Sequence, residues 1–410
     1  MGFMKNNERY RPLCKLYYTD KENYEGIYQE RYHANNALHF DMEINGHPAF
    51  MVASVELFNR IIDIYRKDKE VLRLCGMLPG VALKQFAQRC LIDEIVISNN
   101  IEGVNSSRQE ISDVLAEAEK RGRNKRYKGL VRKYAMLQSD RDIRFQSCGD
   151  IRAVYDELVS FEIAEDDPDN LPDGQIFRKD STSVMSPAQK EIHRGLSPES
   201  RIIEAMDGAL NILNDESVEM IIRIAVFHYL FGYIHPFYDG NGRTSRFISS
   251  SLLARSFEPL LGYRLSYTIK DNLKAYYDAF QVCNDRRSRG DLTPFVNMFA
   301  DIVNESVTQL IHALEKRIVL LEKFSSLIKE LPMGDDRKYY DLYSLLIQAG
   351  LFADRESGIS LAELSELMNV SSVTAAKRLN AIDNRLLIIN KQGNTNLYRI
   401  NTDVLDEMLN

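Results

Sequence analysis

At 410 residues the chain is too long for one ordinary hydrophobic core, so two or three domains are expected. With 44% hydrophobic and 27% charged residues it reads as a globular protein, and a formal net charge of −7 argues against non-specific binding of nucleic acid or anionic membrane by the chain as a whole. The five cysteines, Cys14, Cys75, Cys90, Cys148 and Cys283, are odd in number, scattered and never in a C-x-x-C pair, which suits reduced thiols in a cytoplasm better than disulfides or a zinc site. "MGFMKNNERY" has no apolar targeting core and no stretch approaches ~18 uninterrupted apolar residues, so a soluble cytoplasmic protein is expected, with no membrane partner.

In chain order, residues 1–45 read as an N-terminal extension rich in tyrosine and charge, with strand-like fragments such as "CKLYYTD". Residues 46–130 form a helical region. There Leu83, Ala87, Leu91 and Ile95 recur every four residues and predict one helix ending near Gly103. The basic run "EKRGRNKRYKG" (119–129) reads as a solvated connection, with a phosphate-binding patch as the functional alternative. Helices are predicted through "DIRAVYDELVSFE", then a turn at "DDPDNLPDG", and a hairpin at 175–187, "QIFRKDSTSVMSP". The segment 218–234 is apolar on nearly every face and is predicted to be a central helix. Further helices run to about 330, and "LPMGDDRK" (331–338) is the best linker candidate.

The densest chemistry lies at 235–246, "HPFYDGNGRTSR", between the central helix and another that begins near Thr244. Glycines before a helix N-terminus let an anion approach backbone N–H groups. Arg243 and Arg246 are three residues apart and share a helix face, so two guanidinium forks flank that nest and favour a di- or triphosphate over a single carboxylate. Asp239 supplies a hard oxygen for Mg²⁺ between phosphate oxygens, and His235 can accept a proton near neutral pH. The parts suit phosphoryl or nucleotidyl transfer, and the spacing is neither G-x-x-x-x-G-K-[ST] nor G-x-G-x-x-G. The bland alternative is a turn between two buried helices.

At these residues the chain resembles the Fic-domain family, whose signature H-x-F-x-[D/E]-G-N-G-R-x-x-R it matches at every fixed position. The resemblance extends over roughly residues 80–310. It implies a mainly α fold, a Fic-type helical core with a small β-hairpin flap, and AMP transfer from ATP with Mg²⁺ to a hydroxyl side chain of a target protein. It further implies His235 as general base, Phe237 as an apolar anchor, and Asp239 as the metal ligand. Gly240, Asn241 and Gly242 would line the phosphate nest, with Thr244 and Ser245 in the same nucleotide-binding turn. Arg243 would meet the β-phosphate region, and Arg246 the γ-phosphate. "AYYDAFQVCND" resembles the adenosine-pocket segment and places Tyr276, Tyr277 and Asn284 near the nucleotide. Position 242 is glycine, whereas a lysine there accompanies phosphotransferase chemistry in Doc-type relatives. "SNNIEG" (98–103) resembles the inhibitory motif [S/T]-x-x-x-E-[G/N] of members whose inhibitory helix precedes the core, which makes Ser98, Glu102 and Gly103 the inhibitory residues and pairs Glu102 with Arg246.

Residues 339–410 read as a winged helix-turn-helix module, with "SLAELSELMN" and "SVTAAKRLNAIDNRL" as its helix pair and a wing around Gly393. The expected organisation is therefore an extension (1–45), a helical region with the inhibitory helix (46–130), a catalytic core (131–330) and the winged module (339–410). The leading expectation is a self-inhibited protein adenylyltransferase, which also modifies itself. The alternatives are a de-AMPylating enzyme at the same site, or a nucleotide-sensing DNA-binding regulator. Expected partners are ATP and the target protein, and for the winged module DNA, another protein or a second copy forming a homodimer.

Overall fold

The structure is a computed structural model that describes residues 10–117, 126–138, 145–185 and 191–409. In chain order the N-terminal elements are helices α1 (Leu13–Thr19) and α2 (Tyr24–Tyr32), strands β1 (Ala37–Ile44) and β2 (His47–Val52), and helices α3 (Val55–Gly76), α4 (Gly80–Ile101) and α5 (Arg108–Glu117). Then come α6 (Lys128–Ala135), α7 (Cys148–Leu158), α8 (Ser160–Asp166), strands β3 (Ser183–Met185) and β4 (Glu191–Arg194), and α9 (Glu199–Asn214). Helices α10 (Met220–Ile234), α11 (Asn241–Ser256), α12 (Leu265–Asp271), α13 (Leu273–Asn284) and α14 (Thr293–Ser326) follow. The chain closes with α15 (Arg337–Phe352), β5 (Ile359–Ser360), α16 (Leu361–Leu367), α17 (Ser372–Leu379), β6 (Leu387–Gln392), β7 (Thr395–Ile400) and α18 (Thr402–Leu409). Among the described residues no helix is long and apolar enough to cross a membrane, and all five cysteines are buried thiols outside any disulfide.

Two compact units emerge, one from the described residues within 1–66, 101–103 and 124–306, the other from those within 67–100, 104–123 and 307–410. In the first, α10 is buried on every face, as its unbroken apolar sequence predicts, and packs against α9 and α11. The N-terminal segment differs from its strand-like reading: "LCKLYYT" is helix α1, with Leu13 and Leu16 buried beside Tyr24, Tyr28 and Phe50. Aromatic residues favour strands in isolation, but the i, i+3 spacing of those leucines decides for a helix once Phe50 is there to pack on. Strands β1 and β2 form an antiparallel hairpin, and its turn residues Asn45 and Gly46 have φ of 53° and 77°. The Phe50 backbone bonds Gly290 and Leu292, which seats the hairpin on the segment after α13.

The predicted hairpin at 175–187 lies downstream of its expected position. Strand β3 pairs with β4 in the register Ser183↔Arg194 and Val184↔His193, while 175–182 is irregular chain, and residues 186–187 fall outside the described set. The same holds for 119–125 of the basic run. Helix α11 begins at Asn241, three residues before its expected start near Thr244.

In the second unit, α4 and α5 join the C-terminal elements. Gln85 and Arg89 donate to the Gly358 and Ala353 carbonyls, and Arg108 bridges Asp93 and Asp354. Strands β5, β7 and β6 form a three-stranded antiparallel sheet in that order, and Gln392 at the end of β6 donates to Ser112. The expected linker at 331–338 is a packed turn in which Leu331 is buried and the Tyr343 hydroxyl donates to the Pro332 carbonyl. The units divide instead between residues 306 and 307, within α14.

Candidate active site

The loop 235–241 joins α10 to α11, and its shape follows from three anchors. His235 caps α10 in the left-handed conformation, φ 52° and ψ 63°, which costs a non-glycine residue about 1 kcal/mol and turns the chain abruptly off the helix. Asn241 closes the loop by accepting from the Phe237 N–H and donating to the Phe237 carbonyl, 3.0 and 2.8 Å. Phe237 is fully buried, stacked on Tyr155 at 3.7 Å between centroids and edge-on to Phe177.

A side chain that sequence reasoning passed over holds the histidine. Arg178 is fully buried, and its guanidinium donates to the carbonyls of His235 (2.9 Å), Leu196 (2.7 Å), Ile234 and Asp180. Glu199, at the start of α9, in turn accepts the backbone N–H groups of Gln175, Ile176 and Phe177, which shapes the segment that delivers Arg178. Gly195 leaves no room for a Cβ between the Arg178 guanidinium and His235. The one local signal was an arginine directly after the apolar pair Ile176–Phe177, at the edge of a polar run.

Burial, reinforced by His193 and Arg178, pushes the His235 imidazole down to about 4, so the ring is neutral at neutral pH. The Gly232 carbonyl beside the ring and the Glu102 charge pull the other way, but burial prevails. His193, on β4, holds the Tyr233 carbonyl at 2.7 Å and so ties the β3–β4 hairpin to the end of α10.

On the phosphate side, Gly240 has φ 78°, a conformation only glycine adopts freely, and the first helical bond of α11 is Thr244 N–H to the Gly240 carbonyl. The N–H groups of Asn241, Gly242 and Arg243 therefore precede the helical ladder at the positive end of the helix. The Thr244 and Ser245 hydroxyls fold back onto the Gly240 and Gly242 carbonyls and stiffen this turn.

The two arginines have separate carboxylate partners. Arg246, 1% exposed, donates to Glu102 Oε1 at 2.7 Å. Burial alone would lower this guanidinium, yet Glu102 with Tyr276 and Tyr134 raises it overall. Arg243 pairs at 3.2 Å with Glu162 of α8, a residue the sequence reading did not single out, while Asp239 is 4.0 Å away. Burial pushes the Glu162 carboxyl up to about 7 against the pull of Arg243, and the Tyr127 N–H donates to its other oxygen. Asp239 keeps a half-exposed carboxylate, and the described residues contain no cluster of three or more His, Cys, Asp or Glu. A lone carboxylate fits an ion that takes most of its ligands from phosphate and water, as Mg²⁺ does, and not a protein-caged metal.

Glu102 and Gly103 directly follow α4, and Gly103 terminates it with φ 74°. Ser98 is buried one turn earlier. Of the predicted nucleotide residues on α13, Tyr276 is buried with its hydroxyl on His228, whereas Tyr277 is 43% exposed. Asn284 is half-buried; its amide oxygen accepts from Tyr229 and its backbone carbonyl from Asn45 of the β1–β2 turn. The structure thus brings His235, Asp239, the α11 N-terminus, Arg246 and Glu102 together within one unit.

Residues 147–253 match the profile of the Fic/DOC family, and the chain carries a Fic domain. The chain is 35% identical over 108 residues to a protein adenylyltransferase Fic of Culex quinquefasciatus, covering 26% of this chain and 20% of that protein. It is 29% identical over 188 residues to the protein adenylyltransferase fic-1 of Caenorhabditis elegans, covering 44% and 34%. The chain thus spans about a fifth to a third of the length of these curated relatives. A crystal structure of a Fic family protein from Desulfovibrio desulfuricans G20 has a similar fold, with TM-score 0.50 and 20% identity over 85% of this chain and 97% of that one.

Proposed function

We propose that the Fic domain makes this chain a protein adenylyltransferase that moves AMP from ATP to a hydroxyl side chain of a target protein and is held in check by its own Glu102. The observation that carries the reading is a neutral, buried His235 imidazole one loop away from a helix N-terminus and the guanidinium of Arg246. The names of the two curated relatives support it.

In this reading the target hydroxyl oxygen attacks the α-phosphorus, and its proton passes to the neutral imidazole of His235. The bond from the α-phosphorus to the bridging oxygen breaks, and pyrophosphate leaves. The N–H groups of residues 241–243 and the guanidinium of Arg246 receive the phosphate charge, with Arg243 behind them. Asp239 would hold Mg²⁺, which supplies neutralisation of the phosphate oxygens. Tyr277 and Asn284 line the nucleoside side, and the β3–β4 hairpin presents main-chain groups to the target segment. Glu102 occupies the γ-phosphate's partner on Arg246, which is the basis of the self-inhibition, with Ser98 and Gly103 shaping the helix end that carries it. We assign the catalytic core to residues within 131–330.

Residues 339–410 we assign as a winged helix-turn-helix module that binds protein in the cytoplasm. The α16–turn–α17 pair followed by the β6–β7 hairpin supports the module type. Exposed Leu367, Val373 and Ile389 favour a protein partner over DNA, as do the engagement of Gln392 by Ser112 and of Arg385 by Asp383.

The test is incubation with α-labelled ATP and Mg²⁺, with and without a cell lysate, followed by mass spectrometry of the labelled proteins. Absence of labelled protein from both the chain and its Glu102→Gly variant, each shown to be folded, would refute the reading.

A further inference from the structure

Beneath Arg246 lies a buried polar chain that the transfer reaction does not itself use. His228, on α10, is 1% exposed and ringed by Phe280, Phe295 and Phe299. Its Nε2 faces the Tyr276 hydroxyl at 2.7 Å and its Nδ1 faces the Ser249 hydroxyl at 2.8 Å. The Arg246 guanidinium faces the same hydroxyl, and its charge and donors pull against the upward push of burial on Tyr276.

The proton directions in this chain follow from chemistry. A guanidinium has only donors, so the Tyr276 oxygen accepts from Arg246. The single phenolic proton must then go to His228 Nε2, which has to be an acceptor, and the imidazole proton sits on Nδ1 toward Ser249. Burial together with Arg246 holds the His228 ring down to about 3, so it stays neutral and the polarity of the chain does not reverse in the physiological range.

We propose that Tyr276 and His228 are positioning residues that hold the Arg246 guanidinium in the orientation that receives the terminal phosphate of the nucleotide. An arginine loses about 2 kcal/mol of rotamer entropy when ordered. Glu102 orders Arg246 in the inhibited state, but Glu102 must leave before a γ-phosphate can take its place. The Tyr276–His228–Ser249 chain comes from α13, α10 and α11, none of which carries Glu102, so it persists when the carboxylate departs. The α13 segment thus contributes to phosphate recognition as well as to the nucleoside side, where Tyr277 is the exposed member of the tyrosine pair.

This inference rests on the reading of Arg246 as the γ-phosphate partner, and the experiment separates the two. Dissociation constants for ATP and ADP with Mg²⁺ are measured by calorimetry in a Glu102→Gly background, so that the carboxylate no longer competes for Arg246. ADP lacks the terminal phosphate and reports on folding and on the rest of the pocket. The expected result is that Tyr276→Phe, which removes one oxygen, lowers the preference for ATP over ADP about tenfold and leaves ADP affinity within about twofold. His228→Leu should do the same, while His228→Gln, which restores an acceptor for the Tyr276 hydroxyl, should recover most of the preference. Arg246→Ala is the reference. If it leaves the ATP preference unchanged, the γ-phosphate reading fails and takes the inference with it. If it abolishes the preference while Tyr276→Phe retains it in full, the phosphate reading stands and the positioning role is overturned. Should His228→Leu also lose ADP binding, the decision rests on Tyr276→Phe.

Discussion

Replacing Glu102 by glycine is the perturbation whose size the geometry sets most directly. The Glu102–Arg246 contact is a 2.7 Å charge-assisted hydrogen bond to a guanidinium 1% exposed, with Glu102 itself 29% exposed. Hydrogen bonds to charged groups contribute about 1.5–3 kcal/mol net, and the residual exposure of the carboxylate argues for the lower half of that range. At about 1.4 kcal/mol per factor of ten, releasing Arg246 from Glu102 should raise productive ATP binding, and with it AMP transfer, about ten- to fortyfold. Glu102→Gln, which keeps the bulk and one weaker hydrogen bond, should fall between wild type and Glu102→Gly. Initial rates with α-labelled ATP at a fixed sub-saturating concentration are the assay, with Arg246→Ala in both backgrounds as the control. An unchanged rate for Glu102→Gly, with Arg246→Ala still inactive, would show that the ion pair does not restrain the site.

His235→Ala should abolish transfer while leaving ADP affinity within about twofold, since the ring touches no phosphate-binding group; calorimetry alongside the transfer assay checks this. Because the His235 imidazole is held down to about 4, the acid limb of kcat/KM should fall near pH 4 rather than near 6.5, and stability should gain from this group as pH rises between those values, where the unfolded chain binds the extra proton. Glu162 acts with the opposite sign: its carboxyl is pushed up to about 7 from an ordinary 4.5, so its contribution to stability falls as pH rises between them, and Glu162→Gln should remove that slope from a series of denaturant titrations. Arg178→Met should cost at least about 3 kcal/mol in the same measurement, because the carbonyls of His235, Leu196, Ile234 and Asp180 lose their donor together. A mixed pool of duplexes at low salt should not bind the full chain in fluorescence anisotropy, and saturable, salt-sensitive binding would overturn the assignment of the C-terminal module to protein.

What the sequence disclosed and what it concealed divide along the range of the interactions. The chemistry at 235–246 is local: glycines at a helix start, a histidine and a carboxylate have the same meaning wherever the surrounding helices lie. The pairing of Glu102 with Arg246 could also be anticipated, since the resemblance of "SNNIEG" to an inhibitory motif supplies a carboxylate whose charge matches the second arginine of the signature. Arg178, Glu199 and Glu162 were not legible, because each acts on backbone or charge tens of residues away, and the apolar pair before Arg178 is too slight a mark to reveal its partners. Tyr276 was placed on the correct helix, but which of two adjacent tyrosines turns inward depends on His228, on a different helix. The β3–β4 hairpin was displaced for a related reason. The polar run 178–182 looks like a turn in isolation, and only the burial of Arg178 shows it to be a clamp upstream of the strands.

Gly242 has a consequence for how such a chain can change over generations. A Cβ at this position would overlap the Glu102 carboxylate and come within 3.0 Å of Arg246 Nη1. The bare backbone that leaves room for an approaching anion therefore also leaves room for the internal carboxylate. A single substitution at codon 242 would alter the phosphate loop and evict Glu102 in the same step, so self-restraint and the form of the phosphate loop are inherited as one trait. A lineage that gained a side chain here would have no further use for the carboxylate at 102, and that residue would be free to drift.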